Sequence, residues 1–159
     1  VASSALPDAI DWCVDTFRAA ATLGADDPAV LVLDGPEPVD LSVQRVLWVG
    51  VSEPDLEEPS DGASGDQDWA GLGALRKDEM LSIAHAARAW TGDADIRAAR
   101  RAAFEIVAAV EDIVRASANL GGTVLVTLPG VTNLGYRAAV GKSGAIAQVT
   151  FDIVAKARI

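Results

Sequence analysis

Apolar residues recur at helical spacing in the first part of the chain. In LPDAIDWCVDTFRAAATLG, Leu6, Ile10, Cys13, Val14, Phe17 and Ala21 fall on one stripe. Pro7 near its start and Gly24 at its end bound an amphipathic helix. The run AVLVLDGPEP, closed by Gly35 and two prolines, predicts a short strand, and VQRVLWVGV over 43–51 predicts another. A second helix is predicted from Asp93, read as its cap, through the stripe Ile96, Ala99, Ala103, Ile106, Val107, Val110, Ile113 and Val114. Its outer face sets Arg101 against Glu105 and Glu111 against Arg115 at i,i+4, and NLGG ends it.

The C-terminal part reads as a β meander. TVLVTL is expected to turn at Pro129-Gly130, a pair suited to a type II turn, into VTNLGYRAAV. In AIAQVTFDIVAKARI, Ala147, Val149, Phe151, Ile153, Ala155 and Ala157 share one face, while Gln148, Thr150, Asp152, Lys156 and Arg158 take the other. Two stretches resist this reading. Residues 52–66, SEPDLEEPSDGASGD, hold six acids, two prolines and two glycines, and read as a solvated, flexible acidic loop. QDWAGLGALRKDEMLSIAHAARAW fits a helix with Met80, Ile83, Ala84 and Ala87 on one face, or a strand with Leu81, Ile83, His85, Ala87 and Ala89 alternating.

Length and composition narrow the class. A chain of 159 residues fits one domain, 1–159, and a formal charge of −10 from 23 acids and 13 bases disfavours tight binding to a nucleic-acid backbone. No apolar run is long enough to span a bilayer and no export signal stands at the start, so a soluble protein without membrane contact is expected. The single cysteine, Cys13, excludes an internal disulfide, fits a reducing compartment during folding, and reads as a small buried hydrophobe.

The candidate chemistry is sparse. AAVGKSGA ends like a phosphate-binding loop, but Gly135 and Gly141 enclose five residues where that motif has four, and a strand follows where a helix is required. GKSG therefore reads as a hairpin turn. His85 is the one histidine, so no His pair or His/Cys cluster exists for a metal, and no nucleophile elbow is present to meet it. Neither a catalytic residue nor a cofactor is assigned. A pair of carboxylates working as acid and base in a cleft remains the enzymatic alternative. Trp69 and Trp90 bracket the ambiguous segment and are read either as core or as partner-facing anchors.

The run EMLSIAHAARAWTGDADIRAARRAAFEIVAAVEDIVR, preceded by DQDWAGLGALRKD and followed by VTFDIVAKARI, resembles the tail terminator (tail completion) proteins of long-tailed phages, especially those of actinobacterial hosts. The first helix and VLDGPEPVDLSVQRVLWVGV extend the likeness over nearly the whole chain. It rests on the order of elements and on short patterns such as W-T-G-D before a long Ala/Arg helix. The resemblance implies an α+β fold, a largely antiparallel sheet with two main helices packed on it and a C-terminal β meander, with strand at 79–90. It further implies a structural virion protein, made in the host cytoplasm and placed at the head-proximal end of the tail. There a homo-oligomeric ring, a hexamer, would stop the tail tube and join it to the head–tail connector proteins. DNA would pass the lumen without specific binding. A head-side connector or adaptor ring protein is the related alternative. For such a ring the candidate interface residues are Glu53, Asp55, Glu57, Glu58, Trp69, Trp90, Arg97, Arg100, Arg101, Lys156 and Arg158, with the acids of 52–66 and the cations on opposite sides.

Overall fold

The computed structural model describes residues 3–24, 29–40, 42–55, 59, 61–71, 73 and 75–159. The order of elements is α1 (Leu6–Ala19), a one-turn α2 (Ala21–Gly24), β1 (Leu31–Asp34), β2 (Arg45–Val49), β3 (Ala63–Trp69), β4 (Lys77–Thr91), α3 (Ile96–Ala116), β5 (Val126–Thr127), β6 (Thr132–Gly141) and β7 (Gly144–Arg158). All seven strands join one sheet, in which only the β1–β2 pair is parallel. The fold is therefore α+β, with a largely antiparallel sheet and a β6–β7 meander at its C-terminal end. No helix among the described residues is long and apolar enough to cross a membrane.

Two long strands, β4 and β7, form the centre and pair from Asp78↔Arg158 to Thr91↔Ala145. The ambiguous segment is thus a strand, and its surroundings explain why. A helix at 77–91 would leave the alternating β7 without a partner along one edge, whereas β4 satisfies its own backbone on both sides, pairing with β7 on one edge and with β2 and β3, end to end, on the other. Leu81, Ile83, His85, Ala87 and Ala89 then share one buried face with Val149, Phe151 and Ile153.

α1 and α3 pack on that face. α1 buries Cys13, Val14 and Phe17 of its predicted stripe together with Ala9, which the stripe did not include, while Leu6 and Ile10 are half-buried and Ala21 is exposed; α3 buries Ala99, Ala103, Ile106, Val107, Val110 and Val114 of its stripe and half-buries Ile96 and Ile113. Each fully buried Phe, Ile or Val side chain contributes about 1.5–3 kcal/mol of transfer free energy. Burial also pushes the Cys13 thiol up to about 12, which leaves it protonated and inert. The helix ends differ from expectation. The first stripe is broken at Ala20, whose extended backbone separates α1 from α2. The cap of α3 is Asp95 and not Asp93: one Asp95 carboxylate oxygen accepts from the amides of Arg97 and Ala98 at 3.1 Å each. Of the two surface pairs, Glu111–Arg115 forms at 2.7 Å, while Glu105 reaches Arg45 of β2 at 3.4 Å in place of Arg101.

The N-cap residue of α1, Ala5, makes no side-chain cap, although the neighbouring Ser4 hydroxyl accepts from the Leu6 amide at 3.0 Å. Glu79 of β4 supplies one from across the core. It is buried on the helix-facing side, accepting from the Ser4 hydroxyl (2.6 Å), the Ala5 amide (2.8 Å) and the Gln67 amide (2.9 Å). Burial raises its pKa, but the bonds from Ser4, Gln67 and the Ala5 amide together outweigh that and hold the carboxyl below its usual range.

Two predicted loops are structured otherwise. Residues 63–66, read as part of the acidic loop, begin β3, which has no buried side-chain face and is held by pairing with Lys77–Ile83 of β4. Pro129-Gly130 does not reverse the chain. β5 and β6 run the same way, both antiparallel to β7, and the Leu125 and Leu128 amides donate to the Lys156 and Val154 carbonyls at 2.8 Å. The fifteen-residue β7 offers one long edge, and residues 125–141 follow it with an interruption at Gly130, where φ is +84°. The reversal that does occur is GKSG: Gly141 pairs with Gly144 around Lys142 and Ser143. Gly144 has φ +126°, and a Cβ there would collide with the Thr91 carbonyl.

Candidate interaction surfaces

The sheet face away from the helices is only partly covered. Near β1 and β2, Val39 and Val43 pack on Leu33, Val46, Trp48, Val51 and Ala86, with the Trp48 indole N–H donating to the Glu37 carbonyl at 2.9 Å. Beyond this cluster the face is polar, as the alternation of β7 demands.

Arg88 of β4 organises that region. Its guanidinium donates to the Gln148 side-chain oxygen at 3.0 and 2.7 Å, binds the Asp55 carboxylate, and lies 4.8 Å from the centre of the Trp48 ring. Glu53 sits 3.6 Å from Arg137 of β6. The start of the acidic loop is thus tied down over the sheet face by two arginines. Between them lies an open depression of about 330 Å³, bounded by Asp55, Arg88, Arg137, Ala138, Ala139, Ile146 and Gln148. Nε and Nη2 of Arg88 are engaged within the chain, by Gln148 and Asp55, so its charge in the depression is already paired.

Further along the same face, Asp78 lies 2.6 Å from Arg158 and 3.4 Å from Lys156. The hydrogen bond from Arg158, with Lys156 assisting, holds the Asp78 carboxyl below its usual range and raises the Arg158 guanidinium. This alters the expected grouping of charges. Arg97, Arg100 and Arg101 are exposed on the outer side of α3, away from Glu53 and Asp55. Lys156 and Arg158, in contrast, lie on the polar sheet face with Glu53 and Asp55, and they share the Asp78 carboxylate. Glu57 and Glu58 lie outside the described residues.

The two bracketing tryptophans also differ. Trp90 is half-buried against the β6–β7 turn, close to Gly92 and Gly144, and serves packing within the chain. Trp69 is 67% exposed at the end of β3, with the Lys77 ammonium 5.5 Å from its ring centre.

The largest feature missing from the sequence reading is an apolar edge. Leu125, Val126, Leu128, Leu134, Tyr136 and Val140 are all more than 40% exposed along the outer side of β5 and β6, and no strand among the described residues pairs there. The sequence pattern places these residues in two strands joined by a turn at Pro129-Gly130 and does not show that their outer side is exposed. β7 lies between β4 and β5/β6, so the C-terminal strand contributes only its polar face to the surface and has no open edge.

His85 was expected to be structural, and its geometry agrees. Fully buried, it stacks on Phe151 with ring centres 5.1 Å apart and meets the edge of Phe17 at 6.0 Å. Nδ1 lies 2.9 Å from the Ile83 carbonyl, which places the proton on Nδ1, while Nε2 has no partner among the described residues. Among these residues no group of acids, His and Cys is arranged to hold a metal ion. The chain matches no protein-family model, and no curated protein matches it significantly.

Proposed function

We propose that this chain is a structural subunit that assembles with copies of itself into a ring, a hexamer, which closes the end of a phage tail tube and joins it to the head connector. The observation that carries the assembly half of this reading is the open apolar edge of β5 and β6. Monomeric proteins blunt their sheet edges with charge, proline or a covering element, whereas this one leaves six large apolar residues beside unpaired backbone. Another protein surface is the natural cover for it.

The tail half rests on the resemblance in element order, now joined by the α+β arrangement that the resemblance implies. Six copies at −10 each would bring about sixty negative charges into one ring, so acidic groups at the lumen would let DNA slide past without binding. The head-side adaptor ring shares these properties and differs in the partner it closes. For an enzyme built on a carboxylate pair, the structure supplies little support: Glu79, the one buried carboxylate among the described residues, is engaged as the cap of α1.

Native mass spectrometry across a concentration series tests the assembly claim. The expected result is a discrete ring-sized oligomer that grows with concentration. A chain that stays monomeric throughout, and does not associate with tail tubes, contradicts it.

A further inference from the structure

The sheet has two open edges on opposite sides. Among the described residues, β3 on one side pairs with β4 alone and β6 on the other pairs with β7 alone. Reading across β3, β4, β7 and β6, every neighbour is antiparallel, so β3 and β6 run in opposite directions. Copies related by rotation about a ring axis to which the strands are inclined keep each strand's up or down sense along that axis. β6 of one copy then meets β3 of the next antiparallel, and the alternation continues without a break.

The side chains on these edges match. β3 carries Asp66 and Asp68, which have no ion-pair partner among the described residues; Asp68 lies directly opposite Asp78 of β4, whose cations, Arg158 and Lys156, are already paired with it. β6 carries Arg137, with Lys142 in the turn that follows, and no acid.

We propose that the ring is closed by strand addition, β6 of one subunit pairing antiparallel with β3 of the next. This rests on the ring reading above. Pairing must keep each face of the sheet continuous, so Arg137, on the polar face with Gln148, has to oppose Asp66 or Asp68, which share that face with Met80. The register that sets Arg137 against Asp68 also sets Tyr136 against the exposed Trp69, and it gives all seven residues of β3 a partner within 136–142.

Position agrees with polarity. β3 lies beside the Lys77–Ile83 half of β4, whereas β6 lies beside the other half of β7, from Gly144 to Asp152. The two edges are diagonal to each other, and joining them imposes the stagger that a sheet closed into a ring requires. β1 ends at the level of His85, through Asp34↔Val49 and Val49↔His85, so it leaves the strip beside β3 open.

Cysteine pairing tests this in the full chain, where Cys13 is buried and silent. In the proposed register Asp66 faces Ala139, at a separation a disulfide can span. Asp66→Cys with Ala139→Cys in one chain should give, on mild oxidation, a covalent ladder up to the ring. A mixture of the two single variants should give dimers and nothing larger, and neither single variant alone should cross-link. Circular dichroism and melting temperature should match the parent. Rings in micrographs without cross-links in the double variant would overturn the strand pairing while leaving the ring intact. Dimers from Ala139→Cys alone would overturn it in favour of β6 meeting itself. An absence of association at every concentration would remove the ring reading and this inference together.

Discussion

Two buried titratable residues set how the protein responds to acid. His85 has its pKa lowered to about 4, by burial first and against a smaller opposing effect of the Ile83 carbonyl. Between that value and the ordinary histidine range the unfolded chain binds a proton that the folded chain does not, so stability falls as pH falls through this window. The full effect is roughly 3 kcal/mol. Glu79 acts in the same direction at lower pH, because its folded pKa is depressed and the stability it contributes is lost as the carboxylate protonates. Replacing His85 with Phe, which suits the stack on Phe151, should flatten the stability curve between about pH 6.5 and 4, as followed by urea denaturation at several pH values. An unchanged slope would show that His85 does not titrate between the two states. Glu79→Gln should cost about 1–3 kcal/mol at neutral pH, since an amide cannot accept from Ser4, Ala5 and Gln67 as the carboxylate does, and thermal melts would read the loss. The inward position of Glu79 was legible, because it falls in phase with Leu81, Ile83 and His85 once 77–91 is taken as a strand. Its role as a cap was not, since the α1 residues it serves lie some 75 positions away.

At the scale of elements, periodicity carried as far as side chains decide the structure. The α3 stripe and the alternation of β7 appear as read because each buries a continuous apolar face. β3 left no such trace, since ASGDQDW has almost nothing to bury and exists as a strand through backbone pairing with β4. Pro129-Gly130 misled for a related reason: local turn chemistry favours reversal there, but the long edge of β7 holds both flanking segments in one direction. The GKSG turn was legible because failed motif spacing and the strand after it pointed to a hairpin. Lys142→Ala should therefore leave the melting temperature nearly unchanged, and millimolar ATP should not raise it; a clear ATP-induced rise would mean that the native state binds nucleotide there. The polar sheet face offers a further check. Arg88→Ala removes the contacts to Asp55 and Gln148 that tie the acidic segment down, so limited proteolysis of this variant should cut within 52–62 several times faster than in the parent. Equal rates would show that Arg88 does not hold the segment.

For the whole molecule, the molecule has one face covered by helices, one polar face, an apolar edge at β5/β6 and an acidic edge at β3. A closed ring of a single domain needs two different surfaces that fit each other, and the β6 and β3 edges are the pair proposed for that role. The outer side of α3 bears Arg97, Arg100 and Arg101, and reversing Arg97 and Arg101 to Glu should weaken assembly severalfold in analytical ultracentrifugation while the subunit stays folded by circular dichroism. Unaltered assembly would place that helix face outside the subunit contacts. Periodicity made the two helices and β7 legible and left β4 open between helix and strand, and the edges were not legible at all, because edge exposure depends on which strands pair and in what order, and pairing is a property of the whole sheet.

The central claim is that copies of this chain form a ring that closes a tail tube. Negative-stain electron microscopy of the purified protein, alone and mixed with matching tail tubes, tests it most directly. Ring-shaped particles of uniform diameter, seated as caps at one end of the tubes, are the predicted result. Single small particles at high concentration, with tube ends left bare and open to further growth, would contradict it.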